Sequence, residues 1–333
     1  MQLHRQQLGP LIKIFLFYIT LTRYLAQPQE AGSPDYYANS CPNAESVVRN
    51  TLRGSFIRDN TSPAALIRLL FHDCQVNGCD ASIMLDSGSD GSAEVEAAAN
   101  LGIRRQDFIV AIKKQLELAC PQTVSCADII ALAAREAIIH AGGPAISIPL
   151  GRLDGFDASR DAAESALPPA TISVPDMLDL FSNMGMSTEE SVAILGSHTM
   201  GVAHCTNFAD RLYPTSDPNL NRQDVIKLKA RCPRLLPRLN GPQFPINAFA
   251  ALDTSNFRFD NTYFRNLVAG RALLTIDSNL AMDPTTGPIV ENFAQNQGAF
   301  FDAFSSAFVK LSSFQVLTGS QGEVRLRCDQ INQ

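Results

Sequence analysis

The chain has 333 residues, a formal charge of −6 and a pI near 5.4, with 45% hydrophobic residues and a mean hydropathy of −0.01. Those values describe an ordinary globule, long enough to bury a large core in one or two domains. No run of Lys and Arg is long enough to follow a phosphate backbone, which argues against nucleic acid as a partner.

The N-terminus differs from everything after it. His4, Arg5 and Lys13 make it basic, Ile14 to Leu21 are almost wholly apolar, and no acid occurs before Glu30. This is the layout of a secretory signal peptide over residues 1–26, too short in its apolar part to span a membrane. Ala26 suits the last position of such a segment but Tyr24 is bulky, so cleavage is expected between about 26 and 32. No later segment is long and apolar enough to cross a bilayer, and no retention tetrapeptide follows Cys328. The expectation is an exported protein.

Helical spacing of apolar residues begins with Glu45 to Arg58. Asn60-Thr61-Ser62 is the single N-glycosylation sequon, immediately before the next helix. Pro63 to Phe71 has no breaker after its leading proline and reads as a buried helix. Arg68 and His72 are spaced i, i+4, so they leave one helix face a turn apart. A titratable imidazole beside a permanent cation is poor core design. The cation also lowers the imidazole pKa, keeping it neutral and able to act as a base near pH 7. Asp73, Asp80, Ser82, Gly78, Cys74 and Cys79 follow at once, an oxygen-rich loop small enough to wrap a hard cation.

Further along, Phe108 to Ala119 carries an apolar side, and Cys126 to Ile139 is rich enough in Ala, Ile and Leu to be deeply buried. Val174 to Met184 is a helix, and Ser187-Thr188-Glu189-Glu190 starts another through Leu195. Gly196-Ser197-His198-Thr199 follows, a histidine at a helix C-terminus where flanking glycines let a planar ligand come close. Gly287 to Leu311 reads as one or two amphipathic helices with a break at Gly298. Residues 86–93, 153–173, 213–222 and 232–247 read as loops, and sustained strand alternation is scarce. His140 and His204 read as structural. No His-Glu-x-x-His and no Gly-x-Ser-x-Gly occurs, so zinc and serine hydrolases lack their main signals.

Eight cysteines stand at 41, 74, 79, 120, 126, 205, 232 and 328. An even number in an exported chain favours disulfides, and the absence of Cys-x-x-Cys argues against zinc. Proximity alone pairs only Cys74 with Cys79.

A set of stretches, in order, carries a resemblance. They are Tyr37-x-x-Ser40-Cys41-Pro42, Arg68 to Cys74, Val76 to Ser82, Ala119-Cys120-Pro121, and Val124-Ser125-Cys126-Ala127-Asp128. Gly142-Gly143-Pro144, Leu150-Gly151-Arg152-x-Asp154, Gly196 to Gly201, Arg211-Leu212-Tyr213 and Phe259-Asp260-Asn261 follow. From about Asp35 to Cys328 the chain resembles the secretory plant (class III) haem peroxidases of the horseradish type. The resemblance implies an all-α, two-lobed fold with minimal β structure and haem b between distal and proximal halves. One peroxidase domain would cover 33–333, with a distal lobe at about 33–170 and a proximal lobe at about 171–285. Segment 286–333 would return to the distal half.

By the same resemblance, His72 would take the proton of hydrogen peroxide and pass it to the departing oxygen, with Arg68 stabilising the developing charge. Asn100, six residues after Glu94, would orient His72, although the linker from Asn100 to Phe108 is one residue longer than usual. His198 would be the axial iron ligand and Asp277 its partner. Two calcium ions are implied. The distal one would use Asp73, Asp80 and Ser82 side chains with Val76 and Gly78 carbonyls. The proximal one would use Thr199, Asp253, Ser255 and Asp260. Asp253 and Asp260 stand one residue closer than usual there, and Ser255 (or Asn256) replaces a customary threonine. Pro168 would place aromatic donors at the haem edge, and His204 falls near the haem propionates. Ile146 stands where a Trp is common. The implied disulfides are Cys41–Cys120, Cys74–Cys79, Cys126–Cys328 and Cys205–Cys232, and the implied buried ion pair is Asp128 with Arg152. The expected function is a secreted, monomeric peroxidase that reduces hydrogen peroxide with electrons from small aromatic, phenolic-type reductants. The alternative is a catalytically weak, calcium-stabilised extracellular scaffold. Loss of Arg68, His72 or His198 would mark it, and all three are present.

Overall fold

Residues 32–234 and 248–333 are described by the computed structural model. The expected signal peptide and most of the expected 232–247 loop lie outside the described residues. Among those described, twelve α-helices carry the fold, and the only sheet is a two-stranded antiparallel ribbon. The all-α expectation with minimal β structure holds.

Four helices make the first half: α1 (Ala44–Arg58), α2 (Ser62–Gln75), α3 (Gln106–Ala119) and α4 (Cys126–His140). Helix α4 is buried on nearly every side, as its Ala/Ile/Leu content demands, and α2 packs along it while α1 bridges α3 and α4. Its N-terminus is built from charge. Ser125 Oγ accepts from Asp128 N, and the Asp154 carboxylate accepts from Cys126 N and Ala127 N. An anion at that end satisfies orphan amides and the positive end of the helix dipole.

The second half follows: α5 (Arg160–Ala166), α6 (Val174–Ser182), α7 (Thr188–Leu195), α8 (Arg222–Arg231), α9 (Thr262–Val268) and α10 (Thr275–Met282). Helices α11 (Gly287–Gln295) and α12 (Gln297–Ser312) close the chain's helical part. Strands β1 (Val202–His204) and β2 (Phe249–Ala251) pair with Ala203 opposite Ala250 and His204 opposite Phe249. A cluster of phenylalanines, Phe259, Phe264, Phe293, Phe300 and Phe304, fills this half. Helix α12 packs on α7 and reaches α2.

Several expectations change. Helix α2 runs to Gln75, beyond the apolar run, so Asp73 and Cys74 are helical rather than loop residues. The helix expected over 174–184 ends at Ser182. Helices α5 and α8 were not expected, because each buries a single side chain, Ala163 or Leu228, and so lacks an apolar stripe. The break in the last helical segment falls at Asn296, whose extended backbone ends α11 and whose side chain caps Ala299 N. Gly298 lies inside α12; a side-chain cap decided the boundary, not the helix-weakening residue.

All four cysteine pairs are within bonding distance, in the pairing the resemblance implies. Arg152 Nη1 lies 2.7 Å from Asp128 Oδ1, with both side chains almost wholly buried. Tyr37 Oη and Gly151 N each donate to Asp128 Oδ2 at 2.6 Å, and Arg152 Nε donates to Ser312 O at 2.7 Å. The pair therefore ties α4 to the N-terminal segment and to the end of α12. Asp128→Ala leaves Arg152 buried without its counter-ion, and chemical unfolding should show a loss of about 3–5 kcal/mol. A loss below about 1 kcal/mol, the surface-pair range, would show that the pair does not hold the fold.

Candidate active site

Helix α2 presents Arg68 and His72 one turn apart, and a short turn at Ala98–Asn100 holds both. Asn100 Oδ1 lies 2.5 Å from His72 Nδ1, and Asn100 Nδ2 donates to Glu94 O at 2.6 Å. With the amide so fixed, Oδ1 accepts from Nδ1–H, and the lone pair of His72 is left on Nε2. Arg68 Nε donates to that Nε2 at 3.1 Å. Its other nitrogens are pinned by carbonyls on either side of Asn100, Ala99 O at 3.0 Å and Leu101 O at 3.2 Å. Burial, then the Arg68 charge, pull the His72 imidazole down to about 3, against a smaller opposing effect of Asn100. Burial lowers Arg68 itself to about 10, so it remains a cation at neutral pH.

His198 stands in the tight turn Gly196–Thr199 that ends α7. Its Nδ1 lies 3.0 Å from Asp277 Oδ1 in the first turn of α10, leaving Nε2 for another partner. The side chain keeps 29% of its surface accessible. Burial lowers the His198 imidazole, but the charge and hydrogen bond of Asp277 outweigh it and hold it above its ordinary value. A Cβ at Gly196 would collide with Phe300 and Phe264, so its bareness lets α12 and α9 pack close beneath His198.

Two oxygen-rich sets flank these histidines. In the first, Asp73 is fully buried, with Asp80 and Ser82 nearly so, and Asp73 Oδ1, Ser82 Oγ and Glu94 Oε2 lack any hydrogen-bond partner. Burial, then repulsion from Asp80 and Glu94, push Asp73 well above the usual carboxylate range, and burial takes Glu94 to about 8. The Cys74–Cys79 bridge and Gly78, where a Cβ would strike the Gln315 backbone, hold the loop that carries Val76 and Gly78. In the second set, Thr199 Oγ1 donates to Asp253 Oδ2 at 2.7 Å, and Ser255 Oγ reaches Asp260 Oδ1 at 3.0 Å and Asp253 Oδ1 at 3.2 Å. The four residues converge, and burial raises Asp253 to about 6. No three His, Cys, Asp or Glu side chains among the described residues make a metal shell by themselves. A calcium shell draws equally on hydroxyl and carbonyl oxygens, which both sets offer.

Pro168 is half-buried just after α5, in a loop tied to the Asp277 helix by Ile276 N donating to Ala170 O at 3.1 Å. His204 lies beside Gly102, where a Cβ would meet His204 Nε2 at 3.2 Å and Arg68 Nη1 at 3.5 Å. Sequence reasoning missed Tyr263, whose hydroxyl donates to the same Asp277 Oδ1 at 2.8 Å. It also missed Arg325, a wholly buried cation donating to Ala81 O and Gly155 O behind the first oxygen set. Neither lies near its target in sequence, and no local pattern marks either one.

The peroxidase family model matches residues 48–296. The chain is 47% identical to Peroxidase 29 of Arabidopsis thaliana over 91% of its own length and 90% of that relative's. It is 42% identical to Peroxidase 28 of Arabidopsis thaliana, covering 89% of this chain and 92% of that one. Similarity also extends to the cationic peroxidase SPC4 of Sorghum bicolor, at 40% identity over 90% of this chain and 81% of the relative.

The His72 environment makes a titration testable. An imidazole at about 3 binds no proton between pH 3 and 6.5, whereas the unfolded chain's does, so the buried His72 costs stability as pH falls through that window. Ring NMR of the ligand-free protein should show His72 neutral down to about pH 4. Arg68→Leu should move its midpoint upward, and an imidazole titrating near 6.5 in the unaltered protein would contradict the assignment.

Proposed function

The chain belongs to the peroxidase family, in its plant class III branch, and from that membership we propose how its residues share the reaction. It is a haem peroxidase, an oxidoreductase acting on hydrogen peroxide and a reductant. One observation carries the residue-level reading: His72 is held neutral with its lone pair on Nε2, while the carboxylate partner of His198 takes Nδ1 and leaves its Nε2 available.

The residues fit haem. His198 Nε2 is an imidazole donor of the kind iron takes, and 29% of the side chain's surface is accessible to a ligand. When bound, haem supplies a redox-active iron that takes up peroxide and hands its oxidising equivalents to the reductant. His198 would hold that iron, and Asp277, accepting from Nδ1–H, would fix the ring and raise its donor strength. On the other side, His72 Nε2 accepts a proton from the peroxide and returns it to the departing oxygen. For this the peroxide must displace Arg68 Nε from Nε2, which frees the guanidinium to stabilise charge on that oxygen. Asn100 keeps the tautomer right throughout.

Two calcium ions belong to this reading, one at Asp73, Asp80, Ser82 and the Val76 and Gly78 carbonyls, the other at Thr199, Asp253, Ser255 and Asp260. Partnerless buried oxygens support the first and the convergence of four oxygen side chains supports the second. Small phenolic-type donors would approach along Pro168. A basic, apolar N-terminal segment, four disulfides and an exposed Asn60 support an exported, glycosylated protein. No described helix is long and apolar enough to cross a membrane. The scaffold alternative is not favoured, since Arg68, His72 and His198 are all in place.

Stopped-flow absorbance of the haem-loaded protein tests the division of labour. His72→Leu should keep haem and slow the peroxide reaction by about 10²–10⁴-fold, because proton transfer is lost. Arg68→Leu removes charge stabilisation and should cost about 10²–10³-fold. Peroxide reactivity unchanged in His72→Leu would discard the mechanism.

Calcium separates the two oxygen sets. Those around Asp253 and Asp260 already satisfy one another by hydrogen bonds, whereas Asp73 Oδ1 and Ser82 Oγ have no such recourse. Chelation should therefore empty the Thr199 site first, and because Thr199 adjoins His198 the iron's absorption should shift with that first loss. Calorimetric back-titration with calcium, with the Soret band followed in parallel, would show two steps, the Asp73 site refilling first and the Soret band recovering with the second. Departure of the Asp73 ion first would overturn it.

A further inference from the structure

Tyr263 has no part in the reaction as described, yet its hydroxyl and His198 Nδ1 meet one carboxylate oxygen. The distances to Asp277 Oδ1 are 2.8 Å and 3.0 Å. We propose that Tyr263 is a positioning residue that sets how strongly His198 donates electrons to iron, by competing for Asp277 Oδ1. The inference rests on the reading of His198 as the iron ligand.

A charge-assisted hydrogen bond draws electron density from its acceptor. An oxygen that takes the phenol's hydrogen is a weaker acceptor for Nδ1–H, so the imidazole carries less anionic character. The effect is not diluted by solvent, since Tyr263 is 2% and Asp277 1% exposed. Nor can the hydroxyl turn away easily. The ring stands edge-on to His198 at 6.0 Å and to Phe264 at 4.9 Å. The helix that carries it is anchored at its start by Thr262 N donating to Asp260 Oδ1 at 2.8 Å. Asp260 belongs to the second oxygen set, so the hydroxyl's position is fixed from the loop that would hold the second cation.

A merely structural tyrosine needs an acceptor for its hydroxyl, and losing it would change stability alone. The competing role predicts a change at the iron. Tyr263→Phe keeps the ring and removes one hydroxyl. In the haem-loaded protein the iron's reduction potential should fall, with the ferric-to-ferrous ratio at fixed potential rising by up to about tenfold, about 59 mV for one electron. The iron–histidine stretching band should move to higher frequency. Asp277→Asn should move both readouts the opposite way. Since Tyr263 acts only through Asp277, adding Tyr263→Phe to Asp277→Asn should change nothing more. Additive shifts, or an unchanged potential with a histidine-ligated spectrum intact, would overturn the inference and leave the ligand assignment standing. That assignment falls separately if His198→Ala leaves the iron's spectrum unaltered. Should Tyr263→Phe take up no haem, 3-fluorotyrosine at position 263 decides: a stronger donor of the same shape should raise the potential, and no shift would refute the role.

Discussion

Helix α2 continues one turn past its apolar run, and the site depends on that turn. Its last residues, His72, Asp73, Cys74 and Gln75, are all buried, a sequence that no core would choose for stability. Burying polar groups is costly unless they are met by partners. Partners come from several directions. Asn100 meets His72, Ala81 N donates to Asp73 Oδ2, and Cys79 bonds to Cys74. Arg325 brings a buried positive charge from the far end of the chain. Base, guanidinium and carboxylate thus occupy one rigid rod, so their mutual geometry is set by helix pitch rather than by loops.

The opposite histidine is held by a different device. His198 sits on a tight turn, packed through Gly196 against the phenylalanine cluster, while its carboxylate comes from another helix. Packing in that cluster therefore decides where Asp277 stands relative to the ring. The two halves are tied by long-range links rather than by one continuous core element. Asp154 caps α4 and also accepts from Arg325 N, and Cys328 is joined to Cys126. The C-terminal segment consequently braces both the α4 start and the oxygen set beside His72.

Local chemistry was legible in the sequence where it is local in space. The i, i+4 spacing of Arg68 and His72 and the oxygen-rich run from Asp73 to Ser82 needed no tertiary information. Nor did the helix start at Ser187 to Glu190, which the structure shows as a capping box at α7. Partners brought in from afar were not legible in this way. Asp277 lies 79 residues from His198 and was reached only through resemblance, and Tyr263 was not found at all. Helices α5 and α8 escaped because amphipathic patterning marks buried faces, and theirs are nearly absent. Strands of three residues are too short to show alternation.

The central claim is that one histidine holds the iron while the other is kept off it as a base. Asn100 and Arg68 occupy the two nitrogens of His72, so the ring is oriented for proton transfer and not for ligation. Low-temperature electron paramagnetic resonance of the ferric, haem-loaded protein reports this directly. The account predicts a high-spin signal from iron with a single axial histidine, lost or altered in His198→Ala and retained in His72→Leu. A low-spin bis-histidine signal that disappears in His72→Leu would contradict it.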